Sequence, residues 1–141
     1  LNDIQASLGI SQLNRLKIFI KKRNSIAKFY NKKLKNLPFK LPEVDTKCLS
    51  TFHLYVVLIK KNKKKINRDT FYKKLLKKKI KLNIHYIPIY RHPYFKKLGF
   101  NNNKFQNNEV YFKEAISLPI YPDLSERQLN KIIFSIKNIF K

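Results

Sequence analysis

Apolar residues in the first quarter of the chain recur at three- and four-residue spacing, which is the spacing of one helix face. The apolar positions are Leu13, Leu16, Phe19 or Ile20, Ala27, Tyr30 and Leu34. The pattern predicts a helix from Asn2 to about Lys35, with lysines and arginines on its solvated face. Such a helix either connects two domains or divides into two ordinary helices of a compact domain. Gly9 and Ile10 are expected to bend it, and Ser11 can cap a restart.

The middle of the chain alternates between strand and helix patterns. Residues 36–47 contain two prolines and are predicted to be a connector. Residues 49–60 are rich in β-branched and aromatic side chains and predict a strand, followed by a solvated basic loop. Asn67 is expected to cap a helix that buries Phe71, Leu75 and Leu76. A strand over residues 82–86 follows and ends before a proline, which has no N–H to donate.

The last third of the chain predicts a loop, two helices and a strand. Residues 101–108 are rich in asparagine and are predicted to be a loop. Residues 108–115 predict a helix, with Val110, Tyr111 and the following Ile116 facing inward. Residues 117–120 predict a short strand. Ser125 is expected to start the last helix with a capping box. The apolar stripe of that helix is Leu129, Ile132, Ile133, Ile136 and Phe140.

This order of elements predicts an α/β fold of the α+β type, a small two-layer domain in which helices cover a short, mainly antiparallel sheet. We expect a long inter-domain helix over residues 1–35 and a C-terminal small domain over residues 36–141. The chain starts at Leu1 and has no Met, from which we expect a fragment cut at a domain boundary. There is no membrane-span or signal-peptide pattern, and the single cysteine, Cys48, fits a reducing compartment such as the cytoplasm.

The formal net charge of +24 on 141 residues raises the question of a nucleic-acid or anionic-membrane partner. Codon bias accounts for the charge, because lysine outnumbers arginine 27 to 5 in a chain also rich in Asn, Ile, Phe and Tyr. A nucleic-acid-binding protein favours arginine, whose planar fork pairs with phosphates and guanines. A stand-alone lysine-rich module that binds nucleic acid or an anionic surface stays as the alternative function.

The cysteine and the histidines fit neither a metal site nor a nucleophile. The spacing of Cys48 and His53, and that of His85 and His92, match no standard zinc pattern. A cysteine–histidine dyad needs an orienting group and an activated thiolate, and the sequence offers neither. With two glycines in the whole chain, there is no glycine-rich phosphate loop. We therefore predict no metal.

Two of the three histidines and three of the eight tyrosines lie in one short segment, residues 83–95, whose sequence is NIHYIPIYRHPYF. Two prolines make this segment rigid, and loops fixed in this way often carry binding groups. The alternative is a corner whose aromatic side chains merely cover the edge of a core. His85 and Tyr86 alternate along the predicted strand, so one can line a pocket while the other packs. Arg91 is either a diphosphate contact, through bidentate pairing, or a surface charge.

Four ordered motifs resemble the C-terminal region of the DegT/DnrJ-type sugar aminotransferases, which use pyridoxal 5'-phosphate (PLP) to aminate nucleotide-linked keto-sugars. They are LNDIQASLGISQL at 1–13, FHLYV at 52–56, the set HYIP, PYF and LGF within 85–100, and SLPIYPDL at 117–124. The motifs cover nearly the whole chain. The subgroup to which it is most similar is that of the pseudaminic-acid pathway, which acts on UDP-4-keto-sugars.

The resemblance implies the small C-terminal domain of a fold-type-I PLP aminotransferase. PLP and its Schiff-base lysine would belong to an N-terminal large domain that is absent here, so no catalytic or cofactor-binding residue is expected in this chain. The implied substrates are a nucleotide-linked 4-keto-sugar and an amino-acid donor such as glutamate, in surface-polysaccharide or glycan biosynthesis. The implied assembly is a cytoplasmic homodimer with neither nucleic acid nor membrane as a partner.

The resemblance also implies that His85, Tyr86, Tyr90, Arg91 and His53 bind the substrate. We expect the first four to cluster at one edge of the sheet. Tyr90 stands where the family often has histidine, and a tyrosine cannot act as a base near neutral pH.

Two further expectations concern the helices. Lys79 stands where the family usually has a glycine that accepts a left-handed helix end, so we expect mild strain or a different cap. If the first helix packs on a domain that is absent, Leu13 and Leu16 should be exposed.

Overall fold

A computed structural model describes residues 2–101 and 104–141. Its helices are α1 (Asp3–Leu34), α2 (Arg68–Lys77), α3 (Pro93–Lys97), α4 (Gln106–Glu114) and α5 (Glu126–Phe140). Its strands are β1 (Phe39–Lys40), β2 (Tyr55–Ile59) and β3 (Ala115–Leu118), and a 3-10 turn covers Ile89–Arg91. The fold is therefore the predicted one, with helices packed on a short antiparallel sheet. The predicted loop over 101–108 includes residues 102 and 103, which lie outside the described residues, and its end is already part of α4.

Helix α1 starts with a reciprocal capping box. The Asn2 side chain accepts the Gln5 N–H at 2.9 Å, and the Gln5 side chain accepts the Asn2 N–H at 3.3 Å. The helix then continues without a break through Gly9 and Ser11 to Leu34, so the predicted restart and the two-helix alternative are wrong. A single glycine costs only about 1 kcal/mol in a helix interior, which does not break an otherwise hydrogen-bonded helix.

Only the C-terminal third of α1 packs on the rest of the chain. Its buried residues are Ile26, Ala27, Tyr30 and Leu34. Leu13 is 66% exposed and Leu16 is 44% exposed, as predicted, so the first two-thirds of the helix has an uncovered apolar stripe. In the described part of the chain, no helix is both long and apolar enough to cross a membrane.

The sheet has the order β1-β2-β3 and both pairings are antiparallel. β1 lies inside the predicted connector. β2 is shorter than the predicted strand because Phe52 has a φ of 45°, a left-handed conformation that cannot continue a strand. β3 ends at Leu118, two residues earlier than predicted, since Pro119 has no N–H for the ladder.

The core lies between the sheet and helices α2 and α5. Val57, Phe71, Leu75 and Ile136 are completely buried in it. Three aromatic rings meet at one end: Phe39 is 5.6 Å from Phe71 and 5.3 Å from Phe140 between ring centroids, and Phe71 is 5.8 Å from Phe140. The predicted α5 stripe is confirmed, with Phe140 half-buried. Leu76 is 46% exposed, so its predicted burial is wrong.

Helix α4 turns a different face inward from the one predicted. Val110 is 53% exposed and Tyr111 is 46% exposed, whereas Ile116 is buried in β3. The inward positions are Glu109, whose side chain is 12% exposed, and the half-buried Phe112. The apolar pattern misled the prediction because this face packs on arginine and tyrosine side chains, which attract a carboxylate.

Candidate functional site

The segment Asn83–Phe95 leaves the edge of the sheet after a single bridge. Asn83 and Ser117 exchange backbone hydrogen bonds at 3.3 and 2.9 Å. No other residue of 82–86 pairs in the described structure, so the predicted strand there is wrong. The backbone then forms the 3-10 turn and α3, which starts at Pro93 with His92 extended before it, as expected of a residue that precedes proline.

His85 is held by β3. Its Nδ1 lies 3.0 Å from the hydroxyl of Ser117, a residue that is 5% exposed. His85 itself is half-buried at the edge and is not enclosed in the core. Its ring meets the ring of Tyr86 edge-on at 4.8 Å, and Tyr86 is 77% exposed. Nε2 of His85 has no partner among the described residues, so this nitrogen is available to a ligand.

Tyr90 belongs to the 3-10 turn of the same segment, and its side chain is only 6% exposed. Its ring stacks on Phe105 with centroids 4.6 Å apart and planes 10° from parallel. Its hydroxyl donates to Oε1 of Glu109 at 3.0 Å. Burial, and then the hydrogen bond to this carboxylate, raise the pKa of Tyr90 above its usual value. Tyr90 is therefore a neutral donor at ordinary pH.

Arg91 pairs with the same carboxylate. Its Nε donates to Oε1 of Glu109 at 2.8 Å and its Nη2 donates to Oε2. The hydrogen bond from Arg91 is the main reason that the pKa of Glu109 is below its usual value. The guanidinium also lies 4.9 Å from the centre of the Phe112 ring, and that of Arg68 lies 4.7 Å from the same ring.

The five predicted binding residues fall into separate groups. His85 and Tyr86 form one group on Ser117, and Tyr90 and Arg91 form another on Glu109. Within residues 2–101 and 104–141, no hydrogen bond, ion pair or ring contact joins the two groups or connects His53 to either. His53 is exposed.

Sequence reasoning missed the residues that hold these groups in place. Ser117 was placed in a strand and in the SLPIYPDL motif but was given no role at the site, and Glu109 was not considered. Glu109 could have been considered from composition, because a chain with a charge of +24 has only eight acidic residues, and two of them, Glu109 and Glu114, lie in the helix predicted over residues 108–115.

The described residues form no metal site, since they include no group of three His, Cys, Asp or Glu side chains that could hold an ion. A Schiff-base lysine is normally desolvated, and no lysine in the described structure is buried.

The profile of the DegT/DnrJ/EryC1/StrS aminotransferase family matches residues 1–137. The spore coat polysaccharide biosynthesis protein SpsC of Bacillus subtilis is 32% identical over 99% of this chain, which spans 36% of SpsC.

Solved structures of sugar aminotransferases also resemble this chain. Helicobacter pylori PseC, an aminotransferase involved in the biosynthesis of pseudoaminic acid, is 30% identical with a TM-score of 0.88, covering 99% of this chain and 38% of PseC. The PLP form of the putative sugar aminotransferase Spr1654 of Streptococcus pneumoniae is 27% identical with a TM-score of 0.89, over 99% of this chain and 36% of Spr1654. The four motifs, the antiparallel fold and these matches agree, and the chain belongs to the DegT/DnrJ/EryC1/StrS aminotransferase family.

Proposed function

We propose that this chain is the C-terminal small domain of a PLP-dependent aminotransferase. The whole enzyme transfers an amino group, with glutamate as donor, to a nucleotide-linked 4-keto-sugar in surface-polysaccharide or glycan biosynthesis. The observation that carries the proposal is the overlap with solved sugar aminotransferases, which covers 99% of this chain but only 35–38% of theirs. The matched names, sugar aminotransferase and polysaccharide biosynthesis protein, support the class of substrate.

PLP is the cofactor of the family, whose solved structures include PLP and PMP forms. When bound, it serves as the electron sink of transamination. We place PLP and its Schiff-base lysine in a large domain outside this sequence, a placement that the absence of a buried lysine among the described residues supports. This chain alone is therefore expected to be inactive.

We assign substrate binding to His85, Tyr86, Tyr90, Arg91 and His53. His85 and Tyr86 support the assignment best, because one has a free ring nitrogen and the other an exposed ring beside it. The hydroxyl of Tyr90 and two nitrogens of Arg91 are bound to Glu109, so Nη1 of Arg91, which has no partner among the described residues, is the group that would meet a diphosphate. His53 contributes from the loop before β2.

The proposed assembly is a cytoplasmic homodimer with the active site at its interface. The exposed apolar stripe of α1 supports a further domain that covers it. Nucleic acid and membrane have no part in the proposed function.

The decisive experiment starts from the gene. Sequencing the coding DNA upstream of the Leu1 codon should reveal, in the same frame, a large domain with a PLP-binding lysine. The complete enzyme should then show a cofactor absorbance that changes when glutamate is added and returns when the keto-sugar nucleotide follows. Borohydride trapping should label a lysine outside these 141 residues. A trapped lysine within them, or an upstream frame without such a domain, would refute the proposal.

A further inference from the structure

A second candidate site is lined by residues close in the chain to the His85 group, since Lys81 is four positions from His85 and Pro119 is two positions from its partner Ser117. A cleft of about 370 Å3 opens where the end of α2 meets the first half of α5. Its polar lining consists of Lys79, Lys81, Lys131, Gln128 and Tyr121, and its apolar lining consists of Ile80, Pro119, Leu124 and Ile132.

The three lysines of this cleft have no counter-charge among the described residues. No carboxylate lines the cleft, and none of the three forms an ion pair with any residue in the described ranges. The nearby Asp123 is paired with Lys22 at 3.4 Å. The cleft is therefore a local concentration of uncompensated positive charge, arranged around a buried floor of Ile80, Leu124 and Ile132.

Two further side chains add specificity. Oε1 of Gln128 accepts the N–H of Ser125 at 2.8 Å in the capping box of α5, so its amide nitrogen is left to donate elsewhere. Tyr121 is 42% exposed at the rim and offers an aromatic face. A cleft with an apolar floor and a few convergent polar donors has the composition of a small-molecule site.

The backbone at Lys79 provides a separate argument. Lys79 has a φ of 59°, in the helix-ending motif in which Lys79 donates to the carbonyl of Leu76 and Ile80 donates to that of Leu75. The same motif ends α3 with Gly99, whose φ is 85°. Glycine adopts this conformation without steric cost, whereas lysine does not. Lys79 therefore combines a strained left-handed backbone conformation with a cationic side chain that lines the cleft. Such a combination is typical of functional positions.

We propose that this cleft binds a phosphorylated metabolite, with its phosphate between the lysines and its organic part on the apolar floor against Tyr121. Lysine is a common phosphate ligand, acting as a point charge, and three lysines match the two negative charges of a phosphomonoester better than they match a carboxylate. A purely inorganic anion would leave the apolar floor and the aromatic rim unused. The inference does not depend on the proposed transamination, because none of the five residues assigned to substrate binding lines this cleft.

The test uses the 141-residue chain, with UMP and inorganic phosphate as probes in a calorimetric titration and in NMR spectra. We expect UMP to bind more tightly than inorganic phosphate and to shift the amide signals of Lys81, Gln128 and Lys131. Lys131→Gln should weaken UMP binding about tenfold, since it removes one charge-assisted hydrogen bond. Lys21→Gln is the matched control, because Lys21 belongs to another lysine-lined groove on α1, and it should leave the affinity unchanged.

Lys79→Gly separates binding from folding. This variant should be more stable than the parent chain and yet bind UMP more weakly, and unfolding cannot produce that combination. Three results would overturn the proposal: equal losses for Lys21→Gln and Lys131→Gln, which indicate non-specific attraction to a polycation; equal affinities for UMP and inorganic phosphate; or unchanged binding by the Lys79→Gly chain.

Discussion

Arg91 and Glu109, 18 positions apart in the chain, form a two-point ion pair that fixes the 3-10 turn to α4. Because Glu109 also accepts the hydroxyl of Tyr90, one carboxylate connects two consecutive residues of the turn to another helix. The 3-10 turn is therefore held in place by a residue of α4, which lies outside the segment Asn83–Phe95.

Glu109→Gln should loosen this turn. Glutamine has no charge and carries an NH2 group in place of one oxygen, so it can accept from Tyr90 and from Nε of Arg91 at its single oxygen but loses the bond from Nη2 of Arg91. The amides of Arg91 and His92, which donate to Pro88 and Ile89, should exchange hydrogen faster in this variant. Glu43→Gln is the control, since Glu43 is exposed and has no partner in the described structure. If the hydrogen exchange of these two amides were unchanged in Glu109→Gln, the turn would be stable without the contact to Glu109.

The same pair predicts a pH dependence. The folded chain lowers the pKa of Glu109 below its ordinary value of 4.5, so ionised Glu109 stabilises the fold at pH values above 4.5. This contribution should decrease as the pH falls through the lowered pKa. Unfolding curves of the parent chain and of Glu109→Gln should differ by a constant amount above pH 4.5 and converge in more acidic solution. If the stability difference between the parent chain and Glu109→Gln grew as the pH fell, the pKa of Glu109 would be raised in the folded chain, which contradicts the prediction.

Local patterns predicted the helices better than the sheet or the site. The Ser125 capping box and the stripe of α5 depend on residues within a few turns, and both are found in the structure. β1 was missed because Phe39 is defined as a strand residue only by its partner Ile59, 20 positions later. The inward face of α4 was mispredicted for a similar reason. From the sequence alone, Glu109 is expected to face solvent, because its partner Arg91 becomes its neighbour only in the folded structure.

Lys79→Gly should stabilise the fold by about 1 kcal/mol, the typical steric cost of a non-glycine residue in a left-handed conformation. Chemical denaturation should show this as a higher midpoint with an unchanged slope. Gly99→Ala is the converse variant. Because no atom of the described residues beyond its two chain neighbours lies within 4 Å of the added Cβ, this variant should cost a similar amount for backbone reasons alone. Lys78→Gly should bring no gain, since Lys78 has an ordinary φ of −87°.

Phe71→Ala should be the most damaging of these changes to stability. Phe71 is fully buried and contacts the rings of Phe39 and Phe140, so its removal leaves a large cavity. A loss of about 3–5 kcal/mol in the free energy of unfolding is expected from such truncations. Phe134→Ala, in which a 66% exposed ring is removed from α5, should change stability by no more than about 0.5 kcal/mol. Similar losses in the two variants would mean that the ring cluster is not a close-packed core.

His85→Ala tests the candidate site in the complete enzyme. If Nε2 of His85 donates a hydrogen bond to the sugar nucleotide, its removal should raise KM for that substrate about tenfold, the effect of one lost hydrogen bond. The PLP absorbance should be unchanged, because the proposal places the cofactor in another domain. His92→Ala is the control, as His92 is exposed in the same segment and lies outside the proposed binding set. Loss of PLP with an unchanged KM would instead make His85 part of the cofactor site, and an effect of the same size in His92→Ala would indicate a general disturbance of the loop.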